Sequence, residues 1–523
     1  MDMAFRFNLI DQPWLPVQRL DGLCVAASLR EVLVSAQDFR ELGDASPLST
    51  AALHRLLLAV LHRVFGPANE AAWAELWGWG RFEESALDGY LERWRIRFDI
   101  FDPDRPFFQV PTLSELQPVP VAKLAHARAS GNNATLFDHS LDERPEPVSS
   151  AAAARLLVAH QAFALGGLVS YQAGEPPALF KSADAAPLVR CAVTLLRGRT
   201  LFETLMLNLV RYSPADGLPE PTTEKDQPAW ESERLPSGLD REPDGYVDYL
   251  TWQSRRVRLL PERVGNQVFV RHVVSMKGDQ FPDAGVTIPR YEQMVAFRRS
   301  SPTSGLAWQP VGLAADRLAW RDSDAIFGLD RSNQRRPATF NWTASLYSSY
   351  MPDRRVLDLE VLGLVADRAK FELWRRERLP LPAAVIESES PRDWVKLALQ
   401  NASGCAEAIR RFDWRLAEVL LAPAAEHTER RAQRKDIARL TGSFHTADRY
   451  WAQLEHPFSE FLASLVNESP EAAFGRWAQC TRLAAQIAVQ EVEASLGESA
   501  RSRKAAVRAL EAYRSVRPTG VVK

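Results

Sequence analysis

A chain of 523 residues exceeds one ordinary domain of about 150, so two or three are expected. With 46% hydrophobic and 25% charged residues, the composition excludes a disordered or fibrous chain. Sixty-four Lys plus Arg against 66 Asp plus Glu give a net charge of −2, which excludes a protein that coats nucleic acid with its whole surface while leaving room for a local basic stripe.

The opening MDMAFRFNLIDQPWLPV places Asp2, Arg6 and Asp11 where a secretory signal needs an unbroken apolar run. From Ser49, STAALHRLLLAVLHRVFG carries Leu53, Leu56, Leu57, Val60, Leu61 and Val64 at helical spacing between a Ser/Thr cap and Gly66, which predicts an amphipathic helix. Its His54 and His62 lie two turns apart and read as helix-surface or boundary residues, since nothing nearby supplies further metal ligands. Asp102 and Asp104, in FDPDRPFFQ, read as turn formers. Helices are also expected over 148–168 and 201–210. The most apolar run, 151–169, is interrupted by Arg155, His160 and Gln161 and is not dry enough to span a bilayer.

Between 246 and 274 the pattern turns to alternation, with Gly265-Asn266 between two runs, which predicts a hairpin. Beyond Pro391 only Pro423, Pro457, Pro470 and Pro518 remain, and the spacing becomes helical. A boundary near 380–390 follows, with helices over 392–421, 424–440, 443–466 and 471–516. Trp451, Leu454, Phe458, Phe461, Leu462 and Leu465 supply one apolar face of an antiparallel helical bundle, and Pro457 should kink or break its helix.

Cys24, Cys191, Cys405 and Cys480 form no CxxC pair, so neither a zinc ribbon nor a disulfide framework is expected; they read as buried apolar residues in a reducing cytoplasm. GxxxxGK[ST], GxGxxG after a strand, HExxH and GxSxG are all absent. Positive charge, by contrast, is uneven. Arg255, Arg256, Arg258, Arg263, Arg271 and Lys277 face only Glu262 between 254 and 278, and Arg368, Lys370, Arg375, Arg376 and Arg378 face Glu372 and Glu377. The tail from Arg501 carries seven basic residues against Glu511. Such runs suit contact with a polyanion along a defined track; solvated faces and internal ion pairs are the plainer reading of each run alone.

FNLIDQPWLPV with SLREVL, FDPDRPFFQV, GNNATLFDHS, AFALGGLVSY, YLTWQSRRVRL, GLVADRAKFELWRRERLPLP and TADRYWAQLEHPF resemble, in order, segments of the CasA family, the large subunits of the type I-E CRISPR surveillance complex Cascade. The resemblance spans most of the chain. It implies an α+β fold: a large mixed α/β domain over 1–385, concerned with the guide-RNA end and the PAM, then a C-terminal four-helix bundle over 386–523. It further implies a non-catalytic cytoplasmic protein without cofactor or metal that recognises the PAM in double-stranded DNA, promotes duplex opening and R-loop formation, contacts the crRNA 5′ end, assembles with the backbone and small subunits, and helps recruit the helicase-nuclease. Pairing would then read the target while protein reads the flanking motif.

Carried over residue by residue, the resemblance places Phe137, with Asn132, Asn133 and His139, at the guide-RNA end, where an aromatic can stack on a base; a loop Phe folded into the core is the alternative. Gly166 and Gly167 match a glycine loop that approaches the minor groove, although a helix-ending turn needs glycine equally. Lys277 matches a lysine finger, with Arg271 as competitor; it reads otherwise as an exposed turn lysine. Arg368 falls at a wedge position that carries glutamine in other members, close to Lys370, in a stretch whose pattern also reads as helical. Two rival readings remain: a metal-dependent nuclease or transferase whose acids and histidines converge only in three dimensions, and a helical scaffold.

Overall fold

In the computed structural model, residues 5–113, 117–125, 144–213, 221–300, 307–367, 369–422 and 433–516 are described below. The chain divides into two compact units. One comprises Met1–Ala315, Arg331–Pro352 and Leu357–Arg378; the other comprises Asp316–Asp330, Asp353–Val356 and Leu379–Lys523.

The first unit is mixed α/β. Near the N-terminus, Leu15–Arg19 pairs antiparallel with both Cys24–Ala27 and Phe39–Leu42, and the indole of buried Trp14 donates to the Leu9 carbonyl (3.0 Å). The helix expected from Ser49 runs over Pro47–Val64, capped by Ser46, whose side chain accepts the Ser49 N–H. It is not amphipathic, because every residue from Pro47 to His62 is buried. Helices Ser150–Phe163, Leu201–Asn208 and Tyr246–Leu250 cover it, and its polar Arg55 is met by Glu292 (2.5 Å). Tyr246–Leu250 is also the one stretch within the alternating region that is helical.

The predicted hairpin is present as Arg255–Val264 and Gln267–Lys277, turned at Gly265-Asn266 and paired from Val264 opposite Gln267 to Arg255 opposite Lys277, with one register shift between Val270 and His272. On its other edge the second strand takes up Val119–Pro120 and Val148–Ser149. A second hairpin, Val356–Asp367 with Lys370–Pro382, adds Val193–Arg197 as a third strand. This corrects the helical reading around Arg368. The run LDLEVLGLV is rich in Leu and Val, alternates at its start and is fully buried from Leu359 to Val365, as a covered strand requires.

In the second unit the 33-residue helix Glu389–Leu421 packs against Arg434–Phe444, Thr446–Ala452, Pro470–Ser495 and Ala500–Arg514. The helix expected over 443–466 is interrupted twice: at His445, which is left-handed (φ 52°), and at Gln453-Leu454, before Glu455–Ser464. Pro457 lies in the first turn of that last helix, where its missing N–H costs nothing. The segment expected over 471–516 divides between Pro470–Ser495 and Ala500–Arg514, the second capped by Ser499. Trp320, Phe458 and Trp477 form the aromatic centre, with ring centroids 4.7–6.1 Å apart, and the Trp477 indole donates to the Ala398 carbonyl (2.9 Å).

Cys191 and Cys405 are buried as expected, whereas Cys24 is exposed on a sheet edge, where its side chain meets solvent. Among the described residues no helix is long and apolar enough to cross a membrane.

Candidate nucleic-acid interface

Helix Ser150–Phe163 ends at Ala164, two residues before Gly166, so the glycine pair does not cap it. Gly167 and Leu168 instead form a short strand against Ser182–Ala183. At Gly166 a Cβ would stand 2.9 Å from the Ala185 nitrogen, and Gly167 has φ +135°, a conformation that L side chains rarely adopt. The pair is therefore a bare backbone bend, followed by Leu168, which is 78% exposed.

Two segments distant in sequence meet this bend. A Cβ on Gly167 would lie 3.6 Å from the Ala369 Cβ, at the turn of the second hairpin beside exposed Lys370. Ser170 bridges to Met276 in parallel, and the adjoining Lys277 donates from Nζ to the Leu179 carbonyl (2.8 Å). Gly166, Gly167, Lys277 and the turn carrying Lys370 thus share one corner of the first unit. Arg368, Phe137, Asn132, Asn133 and His139 lie outside the described residues.

Most of the first basic run is engaged within the unit rather than laid out as a phosphate track; Arg263 is exposed, with its guanidinium over the Phe5 ring. Arg255 is buried, and its guanidinium donates to the carbonyls of Ser254, Leu165 and Asp184 (each 2.8 Å), on either side of the glycine bend. Burial pushes its pKa down to about 10. The Arg255 backbone is held in turn by the Gln161 side-chain amide, which accepts its N–H and donates to its carbonyl (both 2.9 Å). Arg256 donates to the Lys277 carbonyl (2.7 Å) and pairs with Glu175 (2.7 Å). Half-buried Arg258 is also held below its ordinary pKa by burial. Arg271 sits at a register shift in the hairpin, pairs with Glu262 (2.9 Å) and donates to the Pro145 carbonyl (2.6 Å), so the competitor for the finger position is engaged away from the corner.

In the second run, Arg376 and Arg378 are partly exposed but engaged with acids of the same unit. Arg378 and Arg197 each reach both Glu360 and Glu41, and Arg376 pairs with Glu360 and donates to Thr50. Burial alone would raise the pKa of Glu360, but Arg197, Arg378 and Arg376 outweigh it and keep the carboxyl below its usual range. Lys370 is exposed, as are Arg501, Arg503, Lys504 and Arg508 on Ala500–Arg514.

His54 and His62 are interior residues, 1% exposed, which overturns their reading as surface or boundary groups. Packing from distant helices encloses them, and desolvation lowers His54 to about 4 and His62 to about 3, so both are neutral. Asp102 accepts the N–H groups of Asp104 and Arg105 (3.0 and 2.8 Å) and pairs with Arg6 (2.9 Å), as a turn former does. Among the described residues, no three His, Cys, Asp or Glu side chains are grouped to hold a metal ion.

The sequence marks Arg255 and Arg256 only as members of a basic run and does not pair them with Gln161 or Glu175. The only available signal is an Arg-Arg pair opening a strand, and it does not reveal partners about 80 to 95 residues away.

This fold, carried over nearly its whole length, is that of CRISPR-associated proteins. The family described as CRISPR-associated protein Cse1 matches residues 8–488. A curated relative, CRISPR-associated protein CasA/Cse1 of Thermus thermophilus, is 35% identical over 512 residues, covering 96% of this chain and 95% of its own. The crystal structure of Cse1 from Acidimicrobium ferrooxidans superposes with a TM-score of 0.82 at 26% identity, covering 98% of each chain. A chain of a structure described as a CRISPR RNA-guided surveillance complex shares the fold with a TM-score of 0.73 at 22% identity, covering 97% of this chain and 99% of its own. The chain belongs to the CRISPR-associated Cse1 family.

Proposed function

We propose that this protein is the non-catalytic large subunit of a type I-E Cascade complex and that it tests the PAM of double-stranded DNA with the glycine corner. The observation that carries this reading is the convergence of the Gly166-Gly167 bend, Lys277 and the turn bearing Lys370, three segments separated by about a hundred residues each. Bare backbone at Gly166 and Gly167 lets amides approach the floor of a minor groove, which a side chain would block. Lys277 supplies a long cation beside it, and exposed Lys370 brings charge to a narrow turn that can enter the duplex and aid its opening, the role that the resemblance gives to Arg368. Because the minor groove offers a degenerate pattern, several related PAMs are tolerated.

In the same reading Phe137, Asn132, Asn133 and His139 hold the crRNA 5′ end. The part up to 385 carries guide-end and PAM recognition, the helices from 386 face neighbouring small subunits and bound DNA, and the assembled particle admits the helicase-nuclease.

The test is Lys277→Ala in the assembled complex. Binding to a PAM-bearing duplex should fall about tenfold, the scale of one lost charge-assisted contact, while binding to a single-stranded target is unchanged. Unchanged duplex binding would sink the assignment.

A further inference from the structure

The loop that joins the two short strands of the glycine corner, residues 169–181, is tied to the end of the first hairpin by a closed circuit. Glu175 Oε1 accepts from Arg256 Nη1 (2.7 Å), and its Oε2 accepts the Gln172 N–H (2.8 Å). Arg256 Nε donates to the Lys277 carbonyl (2.7 Å), and Lys277 Nζ donates back to the loop at the Leu179 carbonyl (2.8 Å). The next residue, Phe180, lies 5.4 Å from the Arg256 guanidinium and is seated against Gly238, where a Cβ would come within 2.7 Å of its ring. Gly238 has φ +82°, so that close seat depends on glycine.

Lys277 is therefore pinned at both ends, its backbone by Arg256 and its ammonium by the loop that Arg256 also holds. A lysine side chain is flexible, and ordering it beforehand removes that cost from binding. In the pair doing this Arg256 is buried and Glu175 partly so, with side chains 7% and 16% exposed, and apolar residues would anchor a loop at less desolvation cost. What they lack is the guanidinium fork, which reaches a carboxylate and a backbone carbonyl at once. Burial opposes ionisation of Glu175, but Arg256 and the Gln172 amide outweigh it and hold the carboxyl below its usual range.

We propose that Arg256 and Glu175 are positioning residues for Lys277: their ion pair clamps the 169–181 loop so that the Leu179 carbonyl presents the ammonium beside the glycine bend. This rests on the reading of that corner as a duplex-testing site.

The experiment compares equilibrium binding, by the assembled complex with its guide RNA, of duplexes with a permissive or an altered flanking motif and of single-stranded target. Glu175→Gln should reduce discrimination between the duplexes about fivefold and leave single-strand affinity unchanged. In a Lys277→Ala background it should add no further loss, and Glu175→Asp should recover part of the discrimination. Full discrimination by Glu175→Gln while Lys277→Ala loses it overturns the positioning role and leaves the underlying reading intact. Full discrimination by Lys277→Ala removes that reading itself. An equal loss on duplex and single strand marks a merely structural ion pair and also overturns the proposal. Should Glu175→Gln fail to assemble, Phe180→Leu loosens the same loop from its apolar side and is judged by the same outcomes.

Discussion

The hairpin Arg255–Lys277 and the helix Ala500–Arg514 carry similar runs of positive charge and use them in opposite ways. In the hairpin, Arg255, Arg256 and Arg271 direct their donors to carbonyls and carboxylates of the same unit. On the helix, Arg501, Arg503 and Lys504 face water. A basic run is thus either construction material or an electrostatic surface, and the difference lies in what other segments bring to it. In this protein buried Arg255 and Arg256 hold together the strands and loop of the corner that carries Lys277 and Lys370.

The comparison breaks most visibly at Arg255. Arg255→Ala leaves the Leu165 and Asp184 carbonyls without this donor, while the Ser254 carbonyl keeps the Gly278 N–H, and opens a buried gap, so we expect a loss of roughly 3 kcal/mol, read as a lower denaturation midpoint of the purified subunit. If Arg255→Ala is as stable as the parent, the guanidinium is not structural.

Asp413 sharpens the contrast from the acidic side. It is buried on Glu389–Leu421 and accepts from the Thr446 hydroxyl (2.6 Å), and desolvation raises its pKa to about 6 despite that bond. A carboxyl whose pKa is raised by folding contributes stability below its unfolded value of about 3.9, and this contribution is lost as pH rises through about 6. Asp413→Asn keeps an acceptor for Thr446 without the buried charge. Its stability relative to the parent should therefore grow between pH 4 and 7, to an advantage of ~1–2 kcal/mol in denaturant titrations at the upper end. A constant difference across that range refutes the assignment.

The smallest effect belongs to the tail helix. Replacing Arg501, Arg503 and Lys504 together with Gln should change stability by less than about 0.5 kcal/mol, because exposed charges contribute little. The same replacement should flatten the salt dependence of DNA binding by the assembled complex if that face meets phosphate. A marked loss of stability would place these residues with the hairpin arginines.

Much of the local structure is legible in the residues. Gly265-Asn266 marks the turn of the first hairpin, and the leucine spacing marks the helix Pro47–Val64, whose cap is Ser46 rather than the Ser/Thr pair at 49–50. The helices beyond 386 are recognisable with their ends misplaced: the break at Gln453-Leu454 falls one turn before Pro457, as the proline leads one to expect, whereas that at His445 carries no strong breaker. The stretch Gly363–Lys370 around Arg368 reads as helix because a short apolar run fits either period; pairing of Val356–Asp367 with Val193–Arg197, some 165 residues earlier, makes the part up to Asp367 a strand. Of the candidate corner, Gly166, Gly167 and Lys277 stand out through ordered resemblance alone. The residues that hold them do not, because each is an ordinary polar side chain until its partner is known.

By itself the sequence determined what depends on neighbours along the chain: the caps, the turns, the period of the apolar residues and the family to which those segments are similar. Only the tertiary structure decided which charges are paired inside and which remain outside, that Pro47–Val64 is covered on every side, and that Lys277 meets the glycine bend. Burial and ion pairing depend on distance in space, and the groups that satisfy Arg255, Arg256 and Glu360 come from segments far apart in the chain.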